Sequence, residues 1–193
     1  MILLGDPASG KATQAARLVR RYGFYDLDMG RVLRRPPVKK TYDYKKTTAR
    51  GKLTPTGVYR PILRKLIMSV QKSKGILFDG HPKMIGEARF LARLLEKIGR
   101  SDPLVVYLSI LVKETVRRVR RGRRYGRKKF VKRDDDSLPA LLNRARYYRT
   151  QIGQVVAFFA RRYAFKKISG VGTRGEIFKR IVRFVEANAG SDT

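Results

Sequence analysis

The sequence predicts an α/β fold, a three-layer sandwich whose middle layer is a five-stranded parallel sheet. Short apolar runs without alternation recur along the chain, and stretches of helical periodicity separate them. A glycine-rich turn at residues 5–13 (GDPASGKAT) also follows the first apolar run directly and precedes a helical pattern. That succession belongs to sheets covered by helices on both faces.

Taken in order, residues 2–4 form the first strand and residues 12–22 the helix after the turn. Residues 24–27 form the second strand. Pro36 and Pro37 interrupt any helix that begins at Gly30, because proline lacks the N–H donor and clashes with the previous turn. Gly51 and Pro55 bracket another break, after which residues 56–71 read as helix. Residues 76–78 give the third strand, and residues 85–98 the helix behind it. Gly99, Asp102 and Pro103 turn the chain into the fourth strand, 104–110. Helices at 113–121 and 138–163, a fifth strand at 165–168 and a last helix at 173–189 complete the pattern.

Composition bounds the possibilities. The 193 residues suit one domain with small inserts, and an apolar content of 42% is enough to build a core. No apolar stretch approaches ~20 residues, so no membrane-spanning helix is expected. The apolar N-terminus lacks a basic flank and reads as a strand, not a signal peptide. The absence of cysteine excludes disulfides and thiolate zinc sites. It fits a reducing compartment, the cytoplasm or an organellar matrix.

Lys and Arg number 46 against 15 Asp and Glu, a net charge of +31. Such an excess concentrates polyanions around a protein, so RNA or ribonucleoprotein contact, ribosome association included, is expected. Residues 113–133 hold 12 basic side chains and one acidic. Arg123, Arg124, Tyr125, Arg127, Lys128, Lys129 and Lys132 are the candidate RNA contacts, with Tyr125 available to stack on a base. Residues 39–46 and the Arg161–Arg162 pair are further candidates.

The turn at 5–13 carries its own chemistry. The strict phosphate-loop pattern GxxxxGK[ST] places a hydroxyl directly after the lysine; here Ala12 intervenes and the hydroxyl is Thr13. Gly5 and Gly10 still let backbone N–H groups approach phosphate oxygens, and Lys11 adds a point charge. The following helix aims its positive end at the same anion. Asp79 closes the third strand, where a carboxylate either holds magnesium through water or caps the next turn. His81, the only histidine, reads as a loop or packing residue.

Together these motifs resemble the adenylate kinase family of nucleoside monophosphate kinases. Residues 5–13 resemble its GxPGxGKGT loop, with Ala8 and Ala12 as variations. Residues 79–83 (DGHPK) resemble DGFPR, and residues 29–34 (MGRVLR) fall where the family writes TGDxLR. Residues 133–136 (RDDD) resemble RxDD at the end of a mobile lid, with Arg144 and Tyr148 at the expected later spacing. The resemblance covers roughly residues 1–185. It implies a core of 1–28, 55–116 and 137–193, an acceptor-nucleotide insert at 29–54 and a short basic lid at 117–136.

It also implies ATP and a nucleoside monophosphate as substrates, with Mg2+. Gly5, Ser9, Gly10, Lys11, Ala12 and Thr13 would hold the donor phosphates, and Asp79 would orient hydrated magnesium. Gly30, Arg34, Lys83 and Glu87 would hold the acceptor. Arg133, Arg144 and one of Arg117, Arg118 or Arg121 would close on the transferring group, and Arg127 competes with Arg133 for its position. The departures gather on the acceptor side. Met29 stands for threonine, Arg31 for aspartate, Lys83 for arginine and Glu87 for the glutamine that reads adenine. Two expectations follow: a kinase acting on AMP or a related monophosphate, or a kinase-like fold serving as an RNA-binding component of a ribosome or other ribonucleoprotein.

Overall fold

Along each central strand, neighbouring residues point to opposite faces of the sheet, and here both faces are buried. The computed structural model describes residues 1–40, 46–47, 54–120 and 138–188, except the side chains of 119–120, 138–147 and 149. In chain order the elements are β1 (Ile2–Gly5), α1 (Lys11–Tyr22), β2 (Tyr25–Asp28), α2 (Met29–Leu33), α3 (Pro36–Lys39) and α4 (Thr56–Met68). Then come β3 (Ile76–Asp79), α5 (Ile85–Lys97), β4 (Val105–Ser109), α6 (Val112–Arg120), α7 (Leu138–Ala160), β5 (Phe165–Ser169) and α8 (Arg174–Asn188). The strands form one five-stranded sheet ordered β2-β3-β1-β4-β5, and every pairing is parallel.

The two faces have separate cores. Ile2, Leu4, Leu27, Phe78, Val105 and Tyr107 turn toward α4, α5 and α7, where Leu63, Leu91 and Phe159 meet them. Leu3, Leu77, Val106, Leu108 and Ile168 turn the other way, onto Ala15 and Leu18 of α1 and Ile177 and Ile181 of α8. Each fully buried aliphatic side chain of this kind contributes roughly 1.5–3 kcal/mol. The expected three-layer sandwich with its five-stranded parallel sheet is the observed fold.

Local chemistry sets the element ends. Gly23 closes α1 in the left-handed region at φ 66°, its N–H bonded to Val19 O at 2.9 Å. A capping box opens α8: Thr173 N–H donates to Glu176 Oε2 at 2.9 Å and Glu176 N–H to Thr173 Oγ1 at 3.2 Å. The prolines at 36 and 37 do more than the sequence reading allowed. They separate α3 from α2, and they also open α3, because a first-turn proline sacrifices no helical hydrogen bond. Helix α4 stops at Met68, earlier than expected, where Ser69 Oγ–H donates to Leu66 O at 2.8 Å. Among the described residues no helix is long and apolar enough to cross a membrane.

Candidate active site

β1 lies at the centre of the sheet, so the turn that follows it opens at the C-terminal edge between β3 and β4. Gly5 is pressed onto β4: a Cβ there would lie 2.5 Å from Leu108 O, so only glycine fits. Asp6 is buried and fully engaged. Its Oδ1 accepts from Tyr107 Oη–H at 2.8 Å and its Oδ2 from Ile110 N–H at 2.8 Å. Gly5 N–H reaches Tyr148 Oη on α7 at 3.3 Å.

Helix α6 holds the next two carbonyls. Thr115 Oγ1–H donates to Pro7 O at 3.3 Å, and Arg118 Nη1–H to Ala8 O at 3.1 Å. Arg118 Nη2–H also donates to Gly170 O at 2.9 Å, and its Nε–H to Glu114 Oε1 at 2.6 Å. Ala8 sits at φ 62°, a conformation that suits the glycine of the resembled pattern better than alanine.

Gly10, at φ 94°, leads into α1 without a side-chain cap, and the first turn of α1 holds no acidic residue. Its positive end is therefore uncompensated by the chain. Lys11 Nζ donates to Gly5 O and to Asp6 O, the latter at 2.9 Å, and lies 5.9 Å from the Tyr148 ring centroid. Ser9 is buried with its hydroxyl unpartnered, Thr13 is half-buried and Ala12 is exposed.

Across Gly80, where a Cβ would lie 3.6 Å from Lys11 Cε, stands Asp79. It is the cross-strand partner of Asp28. Burial first, then the charge of Asp28, pushes the Asp79 pKa up to about 6, with Lys11 pulling against them. Asp28 Oδ1 accepts from Arg31 N–H at 3.0 Å and so caps α2. Beside it the Arg34 guanidinium lies over Gly30, where a Cβ would meet Nη1 at 3.0 Å.

The turn from β3 to α5 contains a cis peptide at His81–Pro82. Buried His81 packs edge-on against Phe78 and Tyr59, with centroids 5.5 and 6.2 Å away. Burial pushes its pKa down to about 4. Glu87, in the first turn of α5 and buried, accepts from Lys83 N–H at 2.8 Å. Burial raises its pKa, while the Lys83 and Met84 N–H groups and the Lys83 and Arg60 charges oppose the shift.

The adenylate kinase family model matches residues 3–164. The chain belongs to the adenylate kinase family. It is 32% identical over 188 residues to an adenylate kinase of Azobacteroides pseudotrichonymphae, covering 95% of each chain. It is 30% identical over 191 residues to one of Phocaeicola vulgatus, covering 96% of this chain and 97% of the relative. An adenylate kinase of Stenotrophomonas maltophilia is 32% identical over 189 residues, with 96% and 98% covered.

Against the family pattern, the structure gathers Gly5, Ser9, Gly10, Lys11, Thr13 and Asp79 at one edge of the sheet, with Gly30, Arg34, Lys83 and Glu87 beside them. Arg144 lies on α7 one turn before Tyr148, and its side chain is outside the described residues. Arg121, Arg123, Arg124, Tyr125, Arg127, Lys128, Lys129, Lys132 and Arg133 are also outside them. Of the three candidate arginines at the lid start, Arg117 is paired with Glu114 at 2.7 Å and exposed, whereas Arg118 reaches the loop. Met29 is core, and Arg31 pairs with Asp26 at 2.7 Å.

Sequence reasoning missed Asp6, Tyr107, Thr115 and Asp28. A tyrosine inside a strand of apolar residues had to find a hydrogen-bond partner, which was the available signal for Tyr107 and Asp6. The donor set fits magnesium of the hydrated kind. Among the described residues no group of three or more acidic or histidine side chains gathers to cage an ion directly. Asp28 and Asp79, with Asp26 near enough to raise the Asp79 pKa further, give one locality an excess of negative charge beside the loop.

Proposed function

We propose that this chain is a nucleoside monophosphate kinase that transfers the γ-phosphoryl group of ATP to AMP or a related monophosphate. The observation that carries it is the meeting, across Gly80, of the Lys11 loop with Asp79 at the end of β3. The loop and the uncapped start of α1 suit the donor's phosphates, and Arg34 and Lys83 suit the acceptor's phosphate. Phosphoryl transfer asks the protein mainly to place two nucleotides in line and to neutralise charge. Asp79 would hold magnesium through water. The bound ion supplies charge neutralisation on the phosphate oxygens.

In this reading Lys11 exchanges its contacts with the Gly5 and Asp6 carbonyls for phosphate oxygens. Arg144, Arg133 and Arg121 would close on the transferring group, arginine's planar fork matching two oxygens at once. Residues 29–54 would serve as the acceptor insert and 117–136 as the lid that excludes water. The test follows direct interconversion of ADP with ATP and AMP, with wild type and Lys11→Ala. Absence of transfer to any monophosphate by the folded wild type overturns the kinase reading.

The +31 charge favours a second role compatible with the first, in which basic surfaces contact RNA or a ribosome. Arg161 is exposed and Arg162 is engaged with Glu96 at 3.4 Å. Titration with structured RNA at ~0.15 M salt and above tests it, since non-specific phosphate binding weakens steeply with salt. Binding no tighter than that of a simple polycation removes the role. The cysteine-free composition supports a cytoplasmic or organellar-matrix location for either role.

A further inference from the structure

Three buried polar side chains converge where α4 meets the β3–α5 turn. Tyr59 and His81 are each 2% exposed and Glu87 is 4% exposed. The Tyr59 and His81 rings meet edge-on, and the charge of Glu87 adds to the burial that lifts the Tyr59 pKa. Tyr59 Oη and His81 Nε2 have no hydrogen-bond partner among the described residues. Buried polar atoms left unpaired cost about 1–3 kcal/mol each, and apolar side chains of similar shape would pack the same space more cheaply. Such a set marks a place where a polar ligand completes the bonding.

The hydrogen-bond character of the set is one-sided. Glu87 is surrounded by the N–H groups of Lys83 and Met84 and by the charges of Lys83 and Arg60, which favour its acceptor-only carboxylate form. His81 Nδ1 lies 3.4 Å from Asp79 O, a contact that only Nδ1–H satisfies, so Nε2 offers a lone pair. A glutamine at position 87 would offer one donor and one acceptor. Two acceptors, with a hydroxyl beside them, face whatever enters here.

Resting on the kinase reading, we infer that the acceptor base is guanine, read through Glu87. Guanine presents N1–H and the N2 amino group side by side, two donors that one carboxylate accepts together. Adenine presents the N6 amino group beside the N1 lone pair, and that lone pair repels the second carboxylate oxygen. Hypoxanthine keeps N1–H but lacks the amino group, so it ranks between them. A site built to hydrogen-bond one edge rejects the mismatched edge strongly, because its own buried groups are left unpaired.

The experiment compares GMP, IMP and AMP as acceptors with Mg-ATP, and measures binding of each monophosphate to the full chain by calorimetry. Wild type is expected to favour GMP over AMP by at least about tenfold, in kcat/KM and in Kd alike, with IMP between. Glu87→Gln is nearly isosteric and keeps an acceptor for Lys83 N–H. It should move the GMP-to-AMP ratio toward AMP by about tenfold or more. A wild type that prefers AMP overturns the inference, and so does a ratio unmoved in a folded Glu87→Gln. If nothing is phosphorylated, the kinase reading falls while the binding order still decides the base. If no monophosphate binds, both fall.

Discussion

At the turn after β1 the surrounding fold reaches in to hold the backbone, with Tyr107 on Asp6, Tyr148 on Gly5, Thr115 on Pro7 and Arg118 on Ala8. At the turn after β3 the balance reverses. Tyr59 Oη, Arg60 Nε and His81 Nε2 are buried without a partner among the described residues. One region has its polar groups satisfied before any ligand arrives, and the other holds polar groups in reserve. That difference matches the chemistry each region faces. Donor phosphates are the same for every nucleoside triphosphate, so a prepaid rigid cradle serves them all. An acceptor base must be distinguished from others, which takes specific unpaired groups. The substitutions that separate this chain from the family pattern (Met29, Arg31, Lys83 and Glu87) lie on the second side.

The contrast can be broken most forcefully at Lys11. Lys11→Ala should lower kcat/KM by at least about 100-fold for every acceptor alike, because it removes a charge from the shared donor site. A loss confined to one acceptor would erase the division between the two regions. Next in size, Asp6→Asn sets an amide against donors that now meet a carboxylate. About 2–3 kcal/mol of stability should go with it, seen as a fall in Tm of ~4–10 °C. An unchanged Tm would mean that the loop is not held from behind.

On the acceptor side, Lys83→Arg restores a planar fork. It should lower the acceptor KM about fivefold and leave the ATP KM unchanged, in steady-state assays varying one substrate at a time. Ala8→Gly relieves the left-handed backbone at φ 62°. The expected gain is about 0.5–1 kcal/mol, offset in part by glycine's greater freedom when unfolded, and thermal melts would register ~1–4 °C.

The smallest effect lies at Glu114, whose pKa the hydrogen bonds from Arg117 and Arg118 lower from 4.5 to about 2. A depressed carboxylate stabilises the fold above the unfolded value and loses that contribution as pH falls through the folded one. The Tm difference between wild type and Glu114→Gln should therefore shrink between about pH 4.5 and 2. A constant difference across that window would show that the pairs contribute nothing.

Much of the fold was legible because buried parallel strands read as unbroken apolar runs. Val105, Val106, Tyr107 and Leu108 are all buried, and no alternation hid them. The donor loop was legible because its glycines and lysine act within a few residues of one another. Its supports were not, since Asp6 and Tyr107 lie 101 positions apart and Arg118 and Gly170 lie 52 apart. Only the sheet order brings such pairs together. The surplus of arginine also concealed which residue near the start of the lid touches the loop, because composition made every match cheap. Thr115 carried no signal at all: a lone hydroxyl in a basic helix reads as surface until the loop is seen against it.

One contact described above has a thermodynamic edge. Without a ligand, the Lys11 ammonium is bonded to the Gly5 and Asp6 carbonyls and lies over the Tyr148 ring. Any anion must displace those contacts, so its net affinity is a difference between two sets of bonds to one cation. A lone phosphate recovers little more than it displaces. A polyphosphate also spans the loop N–H groups and recovers much more. The loop therefore works as a threshold that favours long phosphate chains over the single phosphates abundant around any nucleotide-using enzyme.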